Sequence, residues 1–139
     1  MGNELSQVPR LFAHFEQRDE FYLVQEYIDG HDLSQEISSG NKLSEAQVRQ
    51  LLKEVLEVLT IIHNKNIIHR DIKPQNLMRR KSDGKLILID FGTVKEISKL
   101  KANPQEKTNV SVIVGTNGYM PIEQLNGYPK LSSDVYAVG

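Results

Sequence analysis

Asp71, Lys73 and Asn76 lie in one short run, IIHRDIKPQN, and Asp90 ends the next apolar run, followed at once by Phe91 and Gly92. An acid, a base and an amide this close together suggest a single site. Asn76 and Asp90 offer hard oxygen ligands of the kind that hold Mg²⁺ shared with phosphates. Lys73 supplies a compact positive charge that can neutralise a transferring phosphoryl group. Asp71 can orient an attacking hydroxyl and accept its proton. Phosphoryl transfer needs mainly positioning and charge stabilisation, so the set is chemically sufficient for a transfer centre.

Each piece alone has a plainer reading. Asp-Phe-Gly is a common tripeptide that by itself reads as a turn. His69 follows two isoleucines and is expected to pack rather than bind a metal. His14, His31, His63 and His69 show no ligand-pair spacing, so no zinc site is expected. Lys73 and Asn76 alone could be solvated loop residues. The combination His-Arg-Asp-x-Lys-Pro-x-Asn, then a hairpin, an apolar strand and Asp-Phe-Gly, is not one that structural noise readily produces.

The elements around these residues must position them. Residues 10–15 (RLFAHF) and 21–28 (FYLVQEYI) are aromatic and β-branched and read as strands, joined by a polar EQRD connection and closed by the turn pair Asp29-Gly30. Residues 32–38 form a short helix that ends near Gly40. Ser44 and Gln47 make a capping-box pattern. Behind it Val48, Leu51, Leu52, Val55, Leu56, Leu59 and Ile62 recur at helical spacing, as one apolar stripe expected in the core. NIIH is then a short apolar run. NLMRR and KLILID flank KSDG, which predicts two short strands around a turn at Gly84 and leaves Asp71, Lys73 and Asn76 in the loop before them. Residues 93–114 are polar and weakly periodic, a length of irregular chain that usually serves function. A last helix is predicted in SSDVYAVG, with Ser132 or Ser133 as its cap.

Composition excludes several classes. The 139 residues are 39% apolar and 25% charged, an ordinary globular balance, and the net charge of -1 gives no case for nucleic acid or an anionic membrane. No cysteine is present, so disulfides and thiolate metal sites are ruled out; a reducing, cytoplasmic setting is compatible. The most apolar region, 51–62, carries Lys53, Glu54 and Glu57, so no bilayer span is expected. MGNELSQVPR lacks a basic start followed by an apolar core, so no signal peptide is expected in it; MGNELS matches a myristoylation pattern, too short to carry lipidation alone.

These motifs resemble those of eukaryotic-like serine/threonine protein kinases, in wording closest to the bacterial, cyanobacterial-type branch. HRDIKPQN matches the catalytic loop and DFG the metal-binding motif. LVQEYIDGHDL is similar to the hinge between the two lobes, GTNGYMPIEQ to the end of the activation segment, and SSDVYAVG to the start of the central large-lobe helix. The resemblance implies an α+β, protein-kinase-like fold, present in part. Residues 1–28 would be the last small-lobe strands and hinge, and 29–139 the first half of the mainly helical large lobe. It implies ATP and Mg²⁺ as cofactors and protein serine or threonine hydroxyls as substrate. Asp71 would be the catalytic base, Lys73 would contact the γ-phosphate, and Asn76 and Asp90 would bind Mg²⁺. Thr116 would hydrogen-bond near Asp71 and Lys73. Gln25 matches the gatekeeper, the backbone of Glu26 and Ile28 would bond the adenine edge, Asp32 would reach the ribose, and Met78 would lie under the adenine ring. His69 and Phe91 would stack together, and Asp134 would anchor the catalytic-loop backbone. Arg70 suggests pairing with a phosphorylated residue of the activation segment, Thr108 first and Ser111 second, through autophosphorylation.

The departures are informative too. Pro121-Ile122-Glu123 stands where the family has Ala-Pro-Glu, and the usual downstream Arg partner of Glu123 is not in the sequence. There is no Gly-x-Gly-x-x-Gly, and the first lysine is Lys42, already past the hinge. The sequence therefore reads as an interior fragment, expected to be inactive alone, marginally stable, and to expose apolar surface on the 48–62 helix. A non-catalytic kinase-like module that binds nucleotide or a partner protein is the alternative. The intact Asp71, Lys73, Asn76 and Asp90 favour the enzyme.

Overall fold

The computed structural model describes residues 4–38, 40, 42–90, 95–96 and 115–139. A short 3₁₀ turn, Glu4–Gln7, precedes a hairpin of β1, Leu11–Gln17, and β2, Glu20–Gln25. Gln17 pairs with Glu20, so the connection is only Arg18-Asp19, both at positive φ (53° and 61°). Such a two-residue turn matches the twist of the strands it joins. The expected EQRD connection is therefore too long: Glu16 and Gln17 continue the strand. Phe15 and Tyr22 stack across the pair, ring centroids 5.1 Å apart.

β2 stops at Gln25, short of the predicted Ile28, and Asp29-Gly30 is not a closing turn. Gly30 opens a strand, β3, Gly30–Asp32, which pairs with β5, Leu77–Arg80. A Cβ at Gly30 would collide with the Arg79 carbonyl oxygen, so this close strand pairing needs glycine. β6, Leu86–Leu88, completes an antiparallel sheet in the order β3-β5-β6. Asp32 both ends β3 and caps α1, Leu33–Ile37, by accepting the Ser34 N–H.

The capping box forms as the sequence predicts: Ser44 accepts the Gln47 N–H and the Gln47 side chain accepts the Ser44 N–H, opening α2, Glu45–Asn64. Val55, Val58, Leu59 and Ile62 are its buried residues, packed with Leu33, Ile72, Leu77, Leu86 and Leu88. The expected stripe is only partly core. Val48, Leu52 and Leu56 are 49%, 44% and 37% exposed, while Val58, outside that stripe, is buried. At about 100° per residue, Val58 lies on the opposite flank of the helix from Leu52 and Leu56. The sheet and the last helix cover the Val58 flank of the C-terminal half, so the buried arc is rotated away from the predicted one. The expectation of exposed apolar surface on this helix holds.

β4, Ile67–Ile68, pairs with β7, Lys95–Glu96. A second 3₁₀ turn, Pro74–Asn76, leads into β5. α3, Ile122–Leu125, and α4, Leu131–Val138, follow. α4 starts at Leu131, earlier than a Ser132 or Ser133 cap allows. Instead Ser133 sits inside the first turn, accepting the Lys130 N–H and donating to Glu123. No helix among the described residues is long and apolar enough to cross a membrane.

Candidate active site

The loop from His69 to Asn76 runs between β4 and β5. Its backbone turns sharply at Arg70, which has φ 73°. A non-glycine residue in that region costs energy and persists only when its surroundings hold it. Asp134, 1% exposed in the first turn of α4, does this: its carboxylate accepts the His69 N–H at 2.9 Å and the Arg70 N–H at 2.8 Å. His63, in the last turn of α2, places its Nε2 2.9 Å from the same carboxylate. Helices from both ends of the region thus converge on one buried acid.

His69 is fully buried behind the loop. Its Nδ1 accepts the Asp71 N–H at 3.2 Å, which makes Nε2 the protonated nitrogen, donating to the Ile89 carbonyl at 2.9 Å. One donor and one acceptor describe a neutral ring. Burial agrees: it holds the imidazole pKa below its ordinary value, against the opposing pull of the Ile89 carbonyl and of Asp134, Asp71 and Asp90. Phe91, its expected stacking partner, lies outside the described residues, as do Thr108 and Ser111.

Asp71 is buried and surrounded by donors. The Thr116 hydroxyl donates to its Oδ1 at 2.7 Å, and the Asn76 amide donates to its carbonyl oxygen at 2.8 Å and to Oδ2 at 3.2 Å. Lys73 donates to the Thr116 hydroxyl oxygen at 2.8 Å and lies 3.6 Å from Asp71 Oδ2. Asp71, Lys73 and Asn76 of one loop, joined by Thr116 from a distant part of the sequence, thereby form one cluster. Asp90 follows β6 with φ 60°, and the preceding Ile89 N–H bonds the Asn76 carbonyl at 2.9 Å, tying the two candidate oxygen ligands to one backbone junction. The Asp90 side chain is exposed.

The segment expected to meet a nucleotide base is more loosely built. Gln25 is exposed and pairs with Leu11. The Glu26 N–H bonds the Arg10 carbonyl at 2.8 Å, and its carboxylate accepts the Arg10 N–H at 3.1 Å. Ile28 is buried. Met78 sits beside Asp32 in the sheet, but the Asp32 carboxylate is engaged in capping α1.

Three contributors were not singled out from sequence. Gln124, 4% exposed, donates to the Arg70 carbonyl at 2.6 Å. His63 shares Asp134. Arg79 reaches from β5 to Glu36 of α1 at 2.9 Å and Glu54 of α2 at 3.3 Å, locking both helices to the sheet. The only local signal was a polar residue at the edge of an apolar pattern, which any surface position also gives.

A model of the protein kinase domain matches residues 3–139, and the chain belongs to that family. It is 45% identical over 139 residues to serine/threonine-protein kinase PknA of Nostoc sp.. It is 48% identical over 142 residues to serine/threonine-protein kinase B of Synechocystis sp., and 46% over 139 to kinase C of the same organism. Each match covers 100% of this chain and 25–26% of the relative, so the chain spans about a quarter of the length of these curated relatives.

Proposed function

We propose that residues 1–139 are part of a longer serine/threonine protein kinase, and that the cluster around Asp71 transfers the γ-phosphoryl group of ATP to serine or threonine hydroxyls of protein substrates. The observation that carries this reading is the Thr116 hydroxyl bridging Asp71 and Lys73. It brings the end of the activation segment onto the loop where a substrate hydroxyl would be received. Asp71 orients that hydroxyl and takes its proton, and Asn76 and Thr116 keep the carboxylate aimed. Lys73 neutralises charge on the transferring group. Residues 1–28 then supply the small-lobe end and the hinge, with Glu26, Ile28, Asp32 and Met78 around the nucleotide and Gln25 as gatekeeper.

The donors fit Mg²⁺. The Asn76 amide nitrogen is committed to Asp71, so its amide oxygen is the atom available as a hard ligand, together with the Asp90 carboxylate. When bound, the ion supplies charge neutralisation to the phosphates. Absence of cysteine is compatible with a reducing cytoplasmic setting.

Transfer of labelled phosphate from ATP by the longer protein, wild type against Asp71→Asn, tests the reading; equal transfer by both would sink it. Residues 1–139 alone are expected to transfer negligibly, since they contain neither the Gly-rich loop nor the strand lysine. Arg70 is proposed to receive a phosphate on Thr108 or Ser111. A phosphosite map of active protein with neither modified overturns that part.

A further inference from the structure

The peptide unit joining Arg70 to Asp71 is held at both of its polar atoms. Its N–H, belonging to Asp71, donates to His69 Nδ1, and its carbonyl oxygen, belonging to Arg70, accepts from the Gln124 amide. Fixing both atoms fixes the plane of the peptide, and the plane sets the direction in which the Asp71 side chain leaves the backbone. The Arg70 residue on its other side has a positive φ, so this plane is not one the chain would keep unaided.

A second observation concerns the space for that amide. A Cβ at Gly115 would come within 2.7 Å of the Gln124 amide nitrogen and 2.6 Å of the Met120 sulfur. Gly115, at φ 141°, therefore leaves room where a side chain would displace Gln124. Its neighbour Thr116 holds the Asp71 carboxylate. One stretch, Gly115 to Gln124, thus grips Asp71 twice: at the side chain through Thr116 and at the backbone through Gln124.

We infer that Gln124 is a positioning residue for Asp71, acting through the Arg70 carbonyl and making the aim of the base depend on the seating of the activation-segment end. The inference rests on the kinase reading. A seated segment presents the amide and locks the peptide plane; a displaced one releases the Arg70 carbonyl and frees the plane to rotate.

The test uses the longer kinase with Gln124→Met, which keeps the length and removes the donor, and Gln124→Asn, which keeps the amide but falls one methylene short. Both are expected to lower kcat about tenfold or more and to leave the KM for ATP within about twofold, because only alignment at the base is lost. Unchanged kcat in both variants overturns the inference. So does a parallel loss of ATP binding, or loss of folding in both, since the role would then be structural. Asp71→Asn runs alongside: if the wild type shows no Asp71-dependent transfer, the kinase reading itself falls, and the role of Gln124 with it. Active wild type with unaffected variants rejects the Gln124 role alone.

Discussion

Around Asp134 the chain is buried and densely hydrogen-bonded, whereas along the β1–β2 hairpin every described side chain is solvent-exposed. Both regions are rich in groups that a folded protein would hide. The difference lies in who supplies the partners. The loop region draws on contacts from α2, α3, α4 and β6, all within these residues. Along the hairpin the described ring contacts are the Phe15–Tyr22 stack and the Arg10 guanidinium over the Phe12 ring. The apolar residues of α2 divide in the same way: Val48, Leu52 and Leu56 stay exposed, while Val55, Val58, Leu59 and Ile62 are buried. Order at the candidate site therefore draws on nonlocal polar contacts in addition to the apolar packing of Ile68 and Ile72.

The sharpest way to test that contrast is to change a chemical group without changing shape. Asp71→Asn is expected to reduce phosphotransfer by the longer kinase about 10²–10⁴-fold with little change in thermal midpoint, read by steady-state assay. Asp134→Ala should instead strike stability. It strips the partner from two backbone N–H groups and from His63, at a cost of about 3–5 kcal/mol, measured by urea denaturation. Ile62→Ala should cost about 2–5 kcal/mol by cavity formation, while Val48→Ala, nearly four turns away but half exposed, should cost under about 1 kcal/mol. Equal losses from the two would break the comparison.

The smallest expected effect is on pH dependence. The folded state holds His69 neutral, with a pKa below the ordinary imidazole value. Between those two pKa values the unfolded chain binds more protons, so stability rises with pH there and flattens above about pH 6.5. Acidification from about pH 7 to 5 should thus weaken the fold, and His69→Phe should flatten that dependence in paired denaturation curves. An unchanged slope would mean that His69 carries no linkage.

How much was legible in the sequence follows the same division. The kinase family could be read from the 69–76 motif because its residues are adjacent and their pattern is specific. The capping box could be read because Ser44 and Gln47 satisfy each other across one turn. What was missed depended on distant partners. Gly30 looks like turn punctuation until Arg80, across the sheet, makes it a strand. Val58 looks like a flank residue until packing sets the buried arc. Gln124 meets Arg70 across 54 residues and His63 meets Asp134 across 71, and neither side chain advertises its partner. The 45–48% identity to cyanobacterial kinases supports the family reading of the motif but does not bear on those contacts.

The decisive question is whether Asp71 is the residue on which phosphate transfer depends. The measurement is transfer of the γ-phosphate of ATP to serine or threonine by the longer kinase, comparing wild type, Asp71→Asn and Thr116→Ala in matched, folded preparations. Expected are Mg²⁺-dependent transfer by the wild type, near-complete loss in Asp71→Asn and a smaller loss in Thr116→Ala. Transfer undiminished by Asp71→Asn would contradict that dependence.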